Sequence, residues 1–126
     1  MPDPSRQFLQ VEVVEGVAVV RVLSPEIREV FGEHNDVQSI GDQLYALVDE
    51  KGFNRLVLNF SEVQYMASIM LGKLIGVKRK AQRGGGNLKL CRLTPLLQEI
   101  FRVSALDRVF EIYDDEHAAL DSFDEA

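Results

Sequence analysis

The chain has a single cysteine, Cys91, no tryptophan and only 4 prolines in 126 residues. One thiol excludes an internal disulfide. One Cys with two scattered histidines, His34 and His117, cannot make a conventional zinc site. Disulfide-stapled secreted miniproteins and zinc modules are therefore set aside. No apolar run approaches the roughly 20 residues of a bilayer span. The opening Met1-Pro2-Asp3-Pro4-Ser5-Arg6-Gln7 lacks the basic and then apolar layout of a secretory signal, so a soluble, cytoplasmic protein is expected. Positive charge is scarce as well: 14 Lys and Arg against 20 Asp and Glu leave a net charge of -6. Such a surface repels nucleic acid and anionic membranes unless its cations cluster.

What the chain does have is apolar content, 46% of its residues. A chain of this length buries about two thirds of its unfolded surface and needs no staple, so residues 1–126 are expected to form one domain. The cations also cluster. Lys73, Lys78, Arg79, Lys80, Arg83, Lys89 and Arg92 are half of the Lys and Arg residues and no acid interrupts them, whereas the chain from Glu111 onward carries no Lys or Arg.

Periodicity places the elements. Val11 and Val13 alternate with Gln10 and Glu12, Glu15-Gly16 breaks the run, and Val17 to Leu23 is almost wholly apolar. This predicts a hairpin with a wet edge strand and a buried second strand. Residues 24–35 hold Pro25, Gly32 and Asn35 without a clean period and read as a loop, and residues 1–7 as a flexible start. Asp36 is placed to cap a helix carrying Val37, Ile40, Leu44, Leu47 and Val48, which Gly52 ends. Arg55 to Phe60 is a central strand, parallel to its predecessor because a helix intervenes. A helix over Ser68 to Arg83 buries Leu71, Leu74, Ile75 and the stem of Lys78, and Gly84-Gly85-Gly86 stops it. Leu88 to Cys91 is a strand. Thr94-Pro95 starts a helix with Leu96, Leu97, Ile100 and Phe101, and Val109 to Ile112 is a last strand. Asp114 caps a final helix through about Ser122, and residues 121–126 form an acidic tail. The order is β-β-α-β-α-β-α-β-α.

Catalytic chemistry is not visible in this pattern. The three glycines follow a helix, whereas a phosphate cradle precedes one. Neither histidine stands beside a nucleophile motif, and no paired carboxylates share an acid/base arrangement. The chain is read as a non-enzyme with no catalytic residue, no metal and no cofactor. Cys91 in an apolar strand reads as a core residue, and the basic stretch as a solvated helix face. Ser68 is the residue of interest. It stands where loop gives way to helix, so its hydroxyl can cap the N–H of Met70 or Leu71, or it can accept a phosphate that the positive end of the helix dipole tolerates.

The run Leu58-Asn59-Phe60-Ser61-Glu62-Val63-Gln64-Tyr65-Met66-Ala67-Ser68-Ile69-Met70-Leu71-Gly72 resembles the signature of STAS domains, the anti-sigma factor antagonists. That signature is an apolar strand followed by Ser-x-Val-x-Phe-(Ile/Met)-Asp-Ser-(Ser/Thr)-Gly-Leu-Gly. Ser61, Val63, the aromatic Tyr65, Met66, Ser68, Leu71 and Gly72 match; Ala67 replaces the Asp, Ile69 the second hydroxyl and Met70 the Gly. The stretch from Leu106 to Leu120 is similar to the family's ending.

The resemblance implies an α/β fold: a mixed sheet of four to five strands with about four helices mainly on one face. It implies an anti-anti-sigma factor in which unphosphorylated Ser68 allows capture of an anti-sigma factor that is also a serine kinase. A sigma factor is thereby freed, and the ATP is bound by the kinase. Tyr65, Met66, Ala67, Ile69 and Met70 are expected to form the contact patch, with Lys73 steering an acidic partner. Ile69 and Met70, costly to expose, are expected to be contact residues, but they point about 100° apart on a helix, so one can be core and the other exposed, and Met70 can equally pack back on the sheet. Direct binding to nucleic acid or membrane is not expected, and a weak homodimer is. Two alternatives remain: a STAS scaffold that is never phosphorylated, in a larger complex or transporter system, and a small-ligand or lipid-binding module.

Overall fold

The computed structural model describes residues 9–23, 26–27 and 40–124. The flexible start expected at residues 1–7, the Asp36 cap and most of the loop expected at 24–35 lie outside the described residues. Strands β1 (Leu9–Val14) and β2 (Val17–Val22) form the hairpin. Its two-residue turn has Glu15 and Gly16 both at positive φ, 50° and 83°, the twist that suits tight hairpins. β3 (Glu26–Ile27) falls inside the segment expected to be loop and pairs in parallel with β5 (Tyr65–Met66), a correction to the sequence reading. Two residues are too few to show a period.

The main sheet has the order β1-β2-β4-β6-β7, with β4 at Arg55–Asn59, β6 at Asn87–Cys91 and β7 at Ile112–Tyr113. β1 and β2 are antiparallel and the remaining neighbours parallel, so the sheet is mixed and five-stranded as expected. The helices are α1 (Ile40–Asp49), α2 (Ser68–Arg83), α3 (Pro95–Val103) and α4 (Glu116–Asp124). The first three cover one face, where Leu44, Met70, Leu74, Val77, Leu97 and Phe101 meet Val20, Leu56, Leu58 and Leu90 in the principal core. Helix α4 covers the other face, its Ala119 packing with Val19, Val57 and Cys91. Alternation along β2, β4 and β6 feeds both cores, which is why those strands read as continuous apolar runs.

The C-terminal region differs from expectation. Val109 and Phe110 are not strand: Ala105 is left-handed, Leu106–Arg108 make one 3-10 turn, and Phe110 drops into the core against the Phe101 ring at 5.9 Å. The strand starts at Ile112, three residues later than expected. The cap of α4 is Asp115 rather than Asp114, its carboxylate accepting from Ala118 N–H at 2.8 Å. Residues 121–124, expected to be an acidic tail, continue the helix. The α2 stop is as expected: a Cβ at Gly86 would strike the Asn54 carbonyl, so only glycine lets β6 begin there.

Candidate functional site

Ser68 reaches its place through a tightly held segment. After β4, buried Phe60 donates its N–H to the Cys91 carbonyl at 3.1 Å, and Val63 N–H closes a turn onto the Phe60 carbonyl at 2.9 Å. The Asn59 side chain accepts the Ser61 N–H at 2.8 Å, so Ser61 is tied into this turn through its backbone. Buried Val63 offers its carbonyl to the Thr94 hydroxyl at 3.2 Å, which fastens the segment to the start of α3. Tyr65 and Met66 then pair with β3 and deliver the chain to α2.

The N-cap of α2 is Ala67, in extended conformation at φ -72° and ψ 153°, and no side chain caps the helix. The reading of Ser68 as the N-cap is thereby corrected: Ser68 is the first helical residue. The Ala67 carbonyl takes the N–H groups of Met70 at 3.0 Å and Leu71 at 3.3 Å. Ser68 is exposed, and among the described residues its hydroxyl makes no hydrogen bond. The first turn contains no acid, while Lys80 and Arg83 occupy the last turn. The helix start therefore keeps its partial positive charge, a setting in which an anion is favourable.

The expected contact residues separate. Tyr65 is exposed at 42%, and Ala67 and Ile69 are half-buried beside Ser68. Met66 and Met70 are buried at 2% and 0%, which corrects their placement on the surface: both point into the core and support the segment from beneath. Residues 69 and 70 point about 100° apart on a helix, and the sheet claims the second. Lys73 stands one turn along and pairs with Asp42 of α1 at 3.6 Å. A Cβ at exposed Gly72 would meet nothing within 4 Å beyond its chain neighbours and the backbone of its own helix. The other lysines of the basic stretch disperse. Lys80 pairs with Asp49 at 3.0 Å, Lys78 donates to Asn87 at 2.6 Å, and Lys89 donates to Ser122 at 2.7 Å beneath α4.

A polar network that sequence reasoning missed anchors the segment from the opposite face. Arg21 donates twice to Glu116 at 2.8 Å, and Asn59 donates to the same carboxylate at 2.7 Å. The Arg21 hydrogen bond holds the Glu116 carboxyl below its ordinary range, with Asn59 adding to it, and the same bond raises Arg21. The available signal was one arginine inside an apolar strand. Burial pushes the Cys91 thiol up to about 12, so it is protonated and unreactive. A cleft of about 350 Å³ at the ends of β6 and β7 is lined by Arg92, Gln98, Arg102, Asp107, Tyr113 and Asp114, carries both signs of charge and excludes Ser68. Among the described residues no group of three potential ligands is placed to hold a metal, and no helix is long and apolar enough to cross a membrane.

Residues 9–119 match the family model of the STAS domain. The Anti-sigma F factor antagonist of Paenibacillus polymyxa is 27% identical over 112 residues, 89% of this chain and 91% of that one. An anti-sigma factor antagonist from Mycobacterium paratuberculosis superposes with a TM-score of 0.75 at 25% identity over 93% of both chains. The Bacillus cell fate determinant SpoIIAA, solved in its phosphorylated form, superposes with a TM-score of 0.62 at 22% identity over 90% of this chain and 97% of that one.

Proposed function

The chain belongs to the STAS domain family, and from this premise we propose that it is a cytoplasmic anti-sigma factor antagonist switched by phosphorylation of Ser68. The single observation that carries the reading is an exposed Ser68 hydroxyl, without a hydrogen bond among the described residues, at the uncapped, acid-free start of a 16-residue helix. In the unmodified state Tyr65, Ala67 and Ile69 surround that hydroxyl as a small apolar surface for an anti-sigma factor, with Lys73 at its edge. Met66 and Met70 hold this surface rigid from within.

An anti-sigma factor that is also a kinase transfers the γ-phosphoryl group of ATP to Ser68 Oγ. ADP leaves and the hydroxyl proton passes to a base of the kinase. The phosphate adds about two negative charges where the helix dipole tolerates them, so the fold survives. The contact surface changes from apolar to anionic, the complex separates, and the anti-sigma factor returns to its sigma factor. Incubation with the serine-kinase anti-sigma factors of the source organism and ATP tests this reading. A single phosphate mapped to Ser68 is expected, whereas phosphate at Ser61 or Ser104 overturns the assignment. Ala67 and Ile69, which replace an acid and a hydroxyl of the signature, favour a second reading, a STAS scaffold that is never modified. Stoichiometric partners that include no kinase would distinguish it.

A further inference from the structure

The two edges of the main sheet are unlike. β7 at one edge is two residues long, whereas β1 at the other is six residues long and pairs on its outer side with no strand among the described residues. Long open edges are normally blunted by proline, bulges or free charges. β1 contains no proline, and its register with β2 runs without a bulge from Leu9 opposite Val22 to Val14 opposite Val17. Its only charged residue, Glu12, is held by Arg21 at 3.1 Å. Val11 and Val13 nevertheless stand 41% and 54% exposed.

Hairpin geometry says which groups face outward. In a two-residue hairpin the flanking residues, here Val14 and Val17, exchange both hydrogen bonds, and bonded pairs alternate thereafter. Residues 14, 12 and 10 thus bond to β2, and Leu9, Val11 and Val13 point their N–H and C=O groups away from the sheet. We propose that this edge pairs with β1 of a second copy of the chain, antiparallel about a two-fold axis through Val11.

Self-complementarity selects both the occupant and the register. A two-fold perpendicular to the sheet pairs residues of like parity. Centred on Val11, it sets Val11 against Val11, Leu9 against Val13 and Gln10 against Glu12, closing about six interchain hydrogen bonds. Apolar residues then meet on one face, and an amide meets a carboxylate on the other. Centred on Glu12 it opposes two like charges and closes only about four bonds. The edge contains no residue of the Ser68 site, so its failure and the failure of the switch are separable.

The full chain is tested by sedimentation over a range of concentrations. A reversible monomer–dimer equilibrium is expected, with Val11→Lys weakening association at least tenfold while thermal unfolding is unchanged. Val11→Cys is expected to oxidise to a covalent dimer, since directly opposed residues lie about 5.5 Å apart, whereas Glu12→Cys is offset beyond disulfide reach. A chain that stays monomeric throughout, a folded Val11→Lys variant that associates as the parent does, or cross-linking at position 12 in place of 11 overturns the proposal.

Discussion

At the start of α3 the Thr94 hydroxyl accepts the Leu97 N–H at 3.4 Å, Pro95 occupies the first helical position, and the helix needs nothing from outside. At the start of α2, Ala67 offers no side-chain cap, no acid follows in the first turn, and the adjacent hydroxyl of Ser68 is exposed and makes no hydrogen bond among the described residues. The two sites are tied together, because Thr94 also donates to the Val63 carbonyl in the segment that leads to Ser68. One helix start is completed by its own sequence, and the other is left open at the surface where the proposed switch lies. A cap worth about 1 kcal/mol is forgone at α2, and the buried side of the same helix compensates.

Substitutions at each start break or sharpen this contrast. The largest expected effect is Ser68→Ala, which removes all ATP-dependent phosphate incorporation yet changes stability by no more than about 0.5 kcal/mol, as for an exposed residue. Mass spectrometry and urea unfolding check the two halves of this statement. Met70→Ala comes next. Because this side chain is fully buried, an unfolding cost of about 2–5 kcal/mol is expected, read from the urea midpoint. At the completed start, Thr94→Ala is expected to cost about 1 kcal/mol. At the open start, Ala67→Asp supplies the missing cap and is expected to gain a comparable amount, about 0.5–2 kcal/mol. Equal and opposite shifts in melting temperature would confirm that the two starts differ by their caps.

The smallest expected effect concerns pH. Glu116 is held below its ordinary range by Arg21, so its contribution is fully present above the unfolded carboxylate range and is lost as pH falls through the lower folded value. Thermal unfolding between neutral and acid pH should show a shallower acid-side decline for Glu116→Gln than for the parent chain.

How far the sequence could be read depended on the reach of each signal. The bounds of α2 were legible because its apolar spacing ends at three glycines, and the start of α3 because Thr-Pro is a local instruction. The parallel pairing of β4 with β2 followed from the helix placed between them. Three features were not legible. The β3–β5 pair is two residues long and has no period. Val109 and Phe110 look like strand, but a left-handed Ala105 and the packing of Phe110 on Phe101 override local propensity. Arg21, Asn59 and Glu116 are brought together only when β2 lies beside β4 and α4 returns across them. At the site, the position of Ser68 was legible, but which of Ile69 and Met70 faces the sheet was not, since adjacent helical residues differ by rotation alone.

The central claim is that charge at Ser68, rather than a change of fold, controls partner binding. Phosphoserine installed at position 68 during synthesis, followed by calorimetric titration with the anti-sigma factor, tests it most directly. The account predicts an unchanged circular dichroism spectrum and at least tenfold weaker binding than for the unmodified chain; equal affinity of the two forms would contradict it.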